Sequence, residues 1–201
     1  TAGVFHVPEY QRYYSWTEPE WDDLWTDLYT LPPDKQHYFG TIIIQKTDKT
    51  ESGGGTGGYG SSRKKPINLL IDGQQRLTSL ALLVRSMTEC LEEIAPETDH
   101  EAEIFDDVEE MRESLLVEDN IYQLQLLDEE DNKYLEWLLT GHTVHEPERP
   151  SQRKMIEAKD YFDEQLDDLT ASPDVDPVDV ATKLKQLWDT ILELELMVYV
   201  V

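Results

Sequence analysis

The stretch INLLIDGQQRLTSLALLVRSM, residues 67–87, constrains the chain most. An apolar run, Ile67–Ile71, stops at Asp72-Gly73, and Leu77, Leu80, Ala81, Val84 and Met87 then follow at helical spacing. This is a buried strand that turns tightly through a glycine straight into a buried helix. Such a junction aims free backbone N–H groups and the positive end of the helix at one point, which suits an anion. Arg76, in the first turn, can fork onto a phosphate or a carboxylate. Gln74 and Gln75 can orient a water or a base, and Asp72 can hold hydrated Mg²⁺ or take a proton. The plainer reading makes Asp72 a helix cap and Arg76 a partner for some neighbour. The residues alone leave both open, although polar groups between two apolar elements are costly without a use.

The remaining pattern is α+β. Thr17 reads as an N-cap with Glu20 completing a capping box, and Trp21, Leu24, Trp25 and Leu28 form a helical stripe that ends before Pro32-Pro33. His37–Gln45 reads as a β-branched strand entered through Gly40, and Thr47–Pro66, with six of the ten glycines, as a flexible loop. Beyond Pro96 the chain reads as mainly helical, with stripes through Ile104, Val108, Met111 and Leu115 and through Met155, Ala158, Phe162, Leu166 and Leu169. Ile121–Leu127 alternates like a short strand, Asp128 caps a helix ending at Gly141, Ser151 opens another, and Asp176-Pro177 starts the last. Glu193–Val201 alternates as a closing strand. The expected division is a motif-bearing core at 1–95, a helical lobe at 96–192 and a strand returning to the core at 193–201. Both ends read as cut, so a fragment of a longer protein is expected.

Charge narrows the function. The chain has 43 Asp+Glu against 17 Lys+Arg, net −26. That excludes a broad basic nucleic-acid face and attraction to an anionic membrane. Residues 1–90 carry only −2 of this and residues 91–201 carry −24. The acids could bind a basic partner or mimic DNA, but their even spread as EE, DD and DE pairs favours adaptation to high salt. Cys90, the one cysteine, fits a core position better than a nucleophile. There is no long apolar run and no leader, so a cytoplasmic protein is expected. No GxxxxGK[ST] occurs, His142 and His145 lack further ligands for zinc, and no HNH-like cluster is present, so no metal site and no DNA cleavage by this chain are expected.

Three segments in order, VFHVPEYQRYYSWTEPEWDDLWTDL, HYFGTIIIQ and INLLIDGQQRLTSL, resemble the successive motifs of the GmrSD-type restriction endonuclease N-terminal domain, also known as domain of unknown function family 262. The resemblance is clear from Val4 to about Met87; an FExxNxRG-like motif known after the family's last strand is not among these residues. It implies a small mixed sheet of ParB/sulfiredoxin-like type, with phosphate at the helix start from Gly73 to Arg76. It further implies a domain that binds or hydrolyses a nucleoside triphosphate (ATP or GTP, with Mg²⁺ as accompanying ion) and governs an HNH nuclease domain in modification-dependent restriction and phage defence. The alternative is a non-hydrolysing sensor of nucleotide or of modified DNA, such as phosphorothioated DNA. By the same resemblance Asp72, Gln75 and Arg76 are candidate catalytic residues. Tyr10, Gln11, Arg12, His37, Gly73, Gln74 and Thr78 are candidate nucleotide-binding residues. The expected partners are the nucleotide, an HNH domain in cis or in trans, DNA only through the full-length protein, and a second copy of the chain. Tyr13, Tyr14 and Trp16 could stack a base, although packing of the first helix explains them more simply.

Overall fold

The computed structural model describes residues 3–32, 38–52, 64–118, 121–126, 128–141, 145–171 and 175–201. At its centre lies α2 (Gln74–Ile94), preceded by β3 (Lys64–Asp72) with only Gly73 between them. Its middle turns are enclosed on every side: Leu82, Leu83, Val84 and Met87 are fully buried, and the small polar Thr78, Ser79, Ser86 and Thr88 are buried with them. The enclosing helices are α3 (Glu101–Met111), α4 (Glu129–Thr140), α5 (Pro150–Thr170) and α6 (Pro177–Leu192), while α1 (Glu18–Tyr29) packs on α5 and α6. One continuous apolar cluster runs from Val7 and Ile42 in the sheet to Phe162 and Trp188 in the outer helices. Among the described residues no helix is long and apolar enough to cross a membrane.

The sheet is mixed and five-stranded, which makes the fold α+β as expected. Its order is β6 (Leu124–Leu126), β1 (Val4–Val7), β3, β2 (Tyr38–Ser52) and β7 (Glu195–Val200). β1 runs parallel to β3 and β6, β2 antiparallel to β3, and β7 parallel to β2. Two short strands, β4 (Val117–Glu118) and β5 (Ile121–Tyr122), pair separately.

Several sequence expectations hold. Trp21, Leu24, Trp25 and Leu28 are the buried face of α1, and Glu20 accepts from the N–H and hydroxyl of Thr17, both at 2.8 Å. Asp128 and Asp176 cap α4 and α6 through the N–H groups of Asp131 and Val178, and Gly141 ends α4 in the left-handed conformation. The final segment does return as a strand.

Three expectations change. The segment Thr47–Pro66 is not all loop, because β2 continues to Ser52 and β3 starts at Lys64, with Thr50 opposite Pro66 beyond a bulge. Polar strand extensions leave no apolar alternation to read; the glycine-rich stretch 53–63 is outside the described residues. The expected single strand over Ile121–Leu127 is divided between two sheets at Gln123, whose carbonyl accepts from Phe5 N–H at 2.8 Å. Helix α5 begins at Pro150, in the first-turn position where a proline costs nothing, rather than at Ser151. His142 and Leu127, and the side chains of Leu115 and Leu196, also lie outside the described residues.

Candidate functional site

Strand direction assembles the site. β1, β3 and β6 are mutually parallel, so their carboxyl ends share one sheet edge, where ligands of open sheets with parallel strands gather. Antiparallel β2 starts at that edge. Residues 8–16, Asp72–Arg76, Gly40-Thr41 and Asp128 therefore converge, although up to 120 residues separate them in sequence.

The junction itself is formed by Gly73, at φ 107° and ψ 0°, a conformation that L side chains rarely adopt. A Cβ there would also stand 3.0 Å from Ile42 Cγ1. Among the described residues no side chain caps α2, and its first turn carries no acid. Asp72 is thus not the cap; its carboxylate is largely exposed and lies 3.8 Å from Arg76 Nη2. The N–H groups of the first turn stay available, with the positive helix end behind them.

Arg76 reaches across to β2, where Nη2 donates to the Thr41 carbonyl. Gly40 makes this possible: its φ is +109°, and a Cβ would lie 2.4 Å from Arg76 Nη1. Arg76 Nε is buried without a hydrogen-bond partner among the described residues. Gln75 is a clamp. Its Oε1 accepts from Ser15 N–H at 2.8 Å and Trp16 N–H at 3.2 Å, while Nε2 donates to the Tyr13 carbonyl at 3.2 Å. Gln11 Nε2 donates to the Ile71 carbonyl at 2.7 Å. Below them the Tyr14 hydroxyl joins Ser79 Oγ at 2.6 Å and accepts from Trp21 Nε1 at 2.8 Å, and burial raises its pKa. These bonds hold the segment before α1 against the start of α2.

The result is a cavity of about 240 Å³ lined by Gln11, Arg12, Trp16 and Asp72 to Arg76. Arg12 is exposed and makes no ion pair among the described residues. Gln74 is 7% exposed, and its Oε1 has no hydrogen-bond partner among the described residues. Two guanidiniums and a helix start against one carboxylate make the cavity locally positive in a strongly acidic molecule. Larger hollows of about 650 Å³ between α1 and α5 and about 420 Å³ between α1 and α6 have no such convergence of donors.

The expected site residues separate into groups. Gln11, Arg12, Asp72, Gly73, Gln74, Gln75 and Arg76 do meet at the cavity. Tyr10, 71% exposed, does not line it. Thr78 is wholly buried one turn into α2 and faces the core instead. His37 lies outside the described residues. Thr41, whose carbonyl anchors Arg76, had no sequence signal, whereas the glycine of HYFG was visible without its reason. Burial pushes the Cys90 thiol up to about 11, so it is a poor nucleophile at neutral pH. Among the described residues no group of three or more His, Cys, Asp or Glu is arranged around a metal position.

A search of curated proteins finds no match to the chain. The family model of the GmrSD restriction endonuclease N-terminal domain matches residues 1–201. That span reaches well past the motifs and takes in the outer helices and β7 as parts of the same domain. The chain therefore belongs to the GmrSD restriction endonuclease N-terminal domain family, and with it to the proteins of restriction and phage defence.

Proposed function

We propose that the chain is a nucleotide-binding, NTP-hydrolysing regulatory domain that controls an HNH nuclease domain in cis or in trans. The observation that carries this reading is the uncapped start of α2 facing a cavity flanked by Arg12 and Arg76. Ligand pockets for whole drug-sized molecules span about 300–1,000 Å³. At about 240 Å³ this cavity suits a phosphate tail, with the nucleoside outside it.

In this reading the first-turn N–H groups bind phosphate oxygens, and Arg12 and Arg76 neutralise charge where phosphoryl transfer needs it most. Thr41 and Gly40 fix the Arg76 guanidinium beforehand, so little ordering remains to be done on binding. Mg²⁺, when bound with the nucleotide, supplies charge neutralisation. Asp72, the single carboxylate of the wall, fits its habit of using one or two carboxylates plus substrate phosphates. Hydrolysis forms a bond from water to the terminal phosphorus and breaks the bond to the bridging oxygen, whose electron pair leaves with the diphosphate, while the water proton passes to an oxygen of the transferred phosphate. The ParB/sulfiredoxin-like core is part of the same reading, since that type of fold holds phosphate at this helix start.

One observation favours a second reading, binding without hydrolysis. The Gln75 amide is spent on Tyr13, Ser15 and Trp16 and is not free to orient water. The domain would then sense a nucleotide or modified DNA and pass the signal on. Phosphate release and equilibrium binding of ATP and GTP in molar KCl separate the two. Release by the wild type, lost in Arg12→Ala with the fold intact, supports hydrolysis. Binding without release supports the sensor, and absence of both sinks each reading.

A further inference from the structure

The geometry points to Tyr13 as the nucleobase platform of this site, so that its ligand is a nucleoside triphosphate rather than inorganic polyphosphate. This inference rests on the phosphate-binding reading above. A cavity that takes only phosphates leaves recognition of the rest of the ligand to its rim. Four aromatic rings stand on the segment between β1 and α1, and their surroundings differ. Tyr14 is buried, and Trp16 is half-buried against the core. Tyr10 is exposed but lines neither the phosphate cavity nor the hollow beside it.

Tyr13 alone is both exposed, at 57%, and attached to the site. It lines a water-sized hollow of about 20 Å³ that shares Gln11, Arg12 and Gln74 with the phosphate cavity. Its backbone is fixed, because its carbonyl accepts from Gln75 Nε2 and the following Ser15 and Trp16 are bound to the same amide. Its ring is backed by the Arg149 guanidinium, 6.0 Å from the centroid. Arg149 is itself held by an ion pair to Asp128 and lies 3.7 Å from buried Asp131. A ring supported by a fixed cation loses little freedom when a base stacks on it.

The test is titration of ATP, GTP and tripolyphosphate into the chain in molar KCl, with circular dichroism to establish that each variant is folded. Base stacking on an aromatic side chain predicts that the wild type binds ATP or GTP at least about tenfold more tightly than tripolyphosphate. Tyr13→Ala should erase that margin while leaving tripolyphosphate affinity unchanged. Tyr13→Phe should keep the margin, as should Tyr10→Ala. Equal wild-type affinities for nucleotide and tripolyphosphate would overturn the platform while sparing the phosphate site. So would a Tyr13→Ala variant that weakens all three ligands alike or none. No binding of any of the three would instead remove the phosphate reading and the platform with it.

Discussion

At the scale of single residues, Arg76 shows how much positioning a short motif can require. Its guanidinium reaches the Thr41 carbonyl only because residue 40 lacks a Cβ. Gly40→Ala meets two penalties, the positive φ and the 2.4 Å approach to Arg76 Nη1. Backbone strain of this kind costs about 1–3 kcal/mol, so urea denaturation should show a loss of that order. In an Arg76→Ala background the same substitution should cost less, since only the backbone strain remains. Equal costs in the two backgrounds would show that Arg76 does not depend on Gly40. Gln75 is the complementary case, because a residue with the chemistry to orient water is here consumed by three backbone partners.

At the scale of elements, the start of α4 stands beside the site, where Asp128 lines the small hollow next to the cavity. The Asp128 carboxyl is held below its ordinary value of 3.8, chiefly by the hydrogen bond from Arg149 and further by the Asp131 N–H. A carboxylate with a depressed folded pKa adds stability that is present above its unfolded value and disappears as pH falls through the folded one. Asp131 is shifted the opposite way by burial, so its protonation opposes part of that loss. Asp128→Asn keeps a good helix cap and removes the charge. The variant should therefore be less stable than wild type at pH 7, and the difference should shrink between pH 5 and pH 3. Parallel urea curves at the two ends of that range test it, and a constant difference would show that the charge of Asp128 is not what matters.

For the molecule as a whole, charge and topology act on different parts. Residues 91–201 carry −24 of the net charge and surround α2 with acidic helical faces, so at low ionic strength they repel one another. If this reflects adaptation to salt, screening should stabilise the fold. Raising KCl from 0.1 M to 2 M should raise Tm by about 5–10 °C, at roughly 2–4 °C per kcal/mol for a chain of this size. A flat or falling Tm would leave the acidic surface to a basic partner instead.

Much of this was legible in the sequence, for a physical reason. Apolar spacing reports which face of a local element is buried, and capping residues act on groups two or three positions away, so α1, α2, α4, α5 and α6 announced themselves. The tight junction at Gly73 is equally local, and it marks the helix start in the sequence itself. β1 was missed because Val4–Val7 is short and lies between two strands, which removes the alternation that marks a strand with one buried face. The extent of β2 and β3, and the division at Gln123, were decided by pairing with distant strands. The same holds for the site's contents. That Gln75 is a clamp, that Thr78 faces the core, and that Thr41 and Arg149 act at or beside the cavity depend on contacts between residues far apart in sequence. The sequence by itself determined the long helices, the strand-to-helix junction and the family. Only the tertiary structure decided which polar side chains are left free to meet a ligand, because that depends on which hydrogen bonds the folded chain has already used.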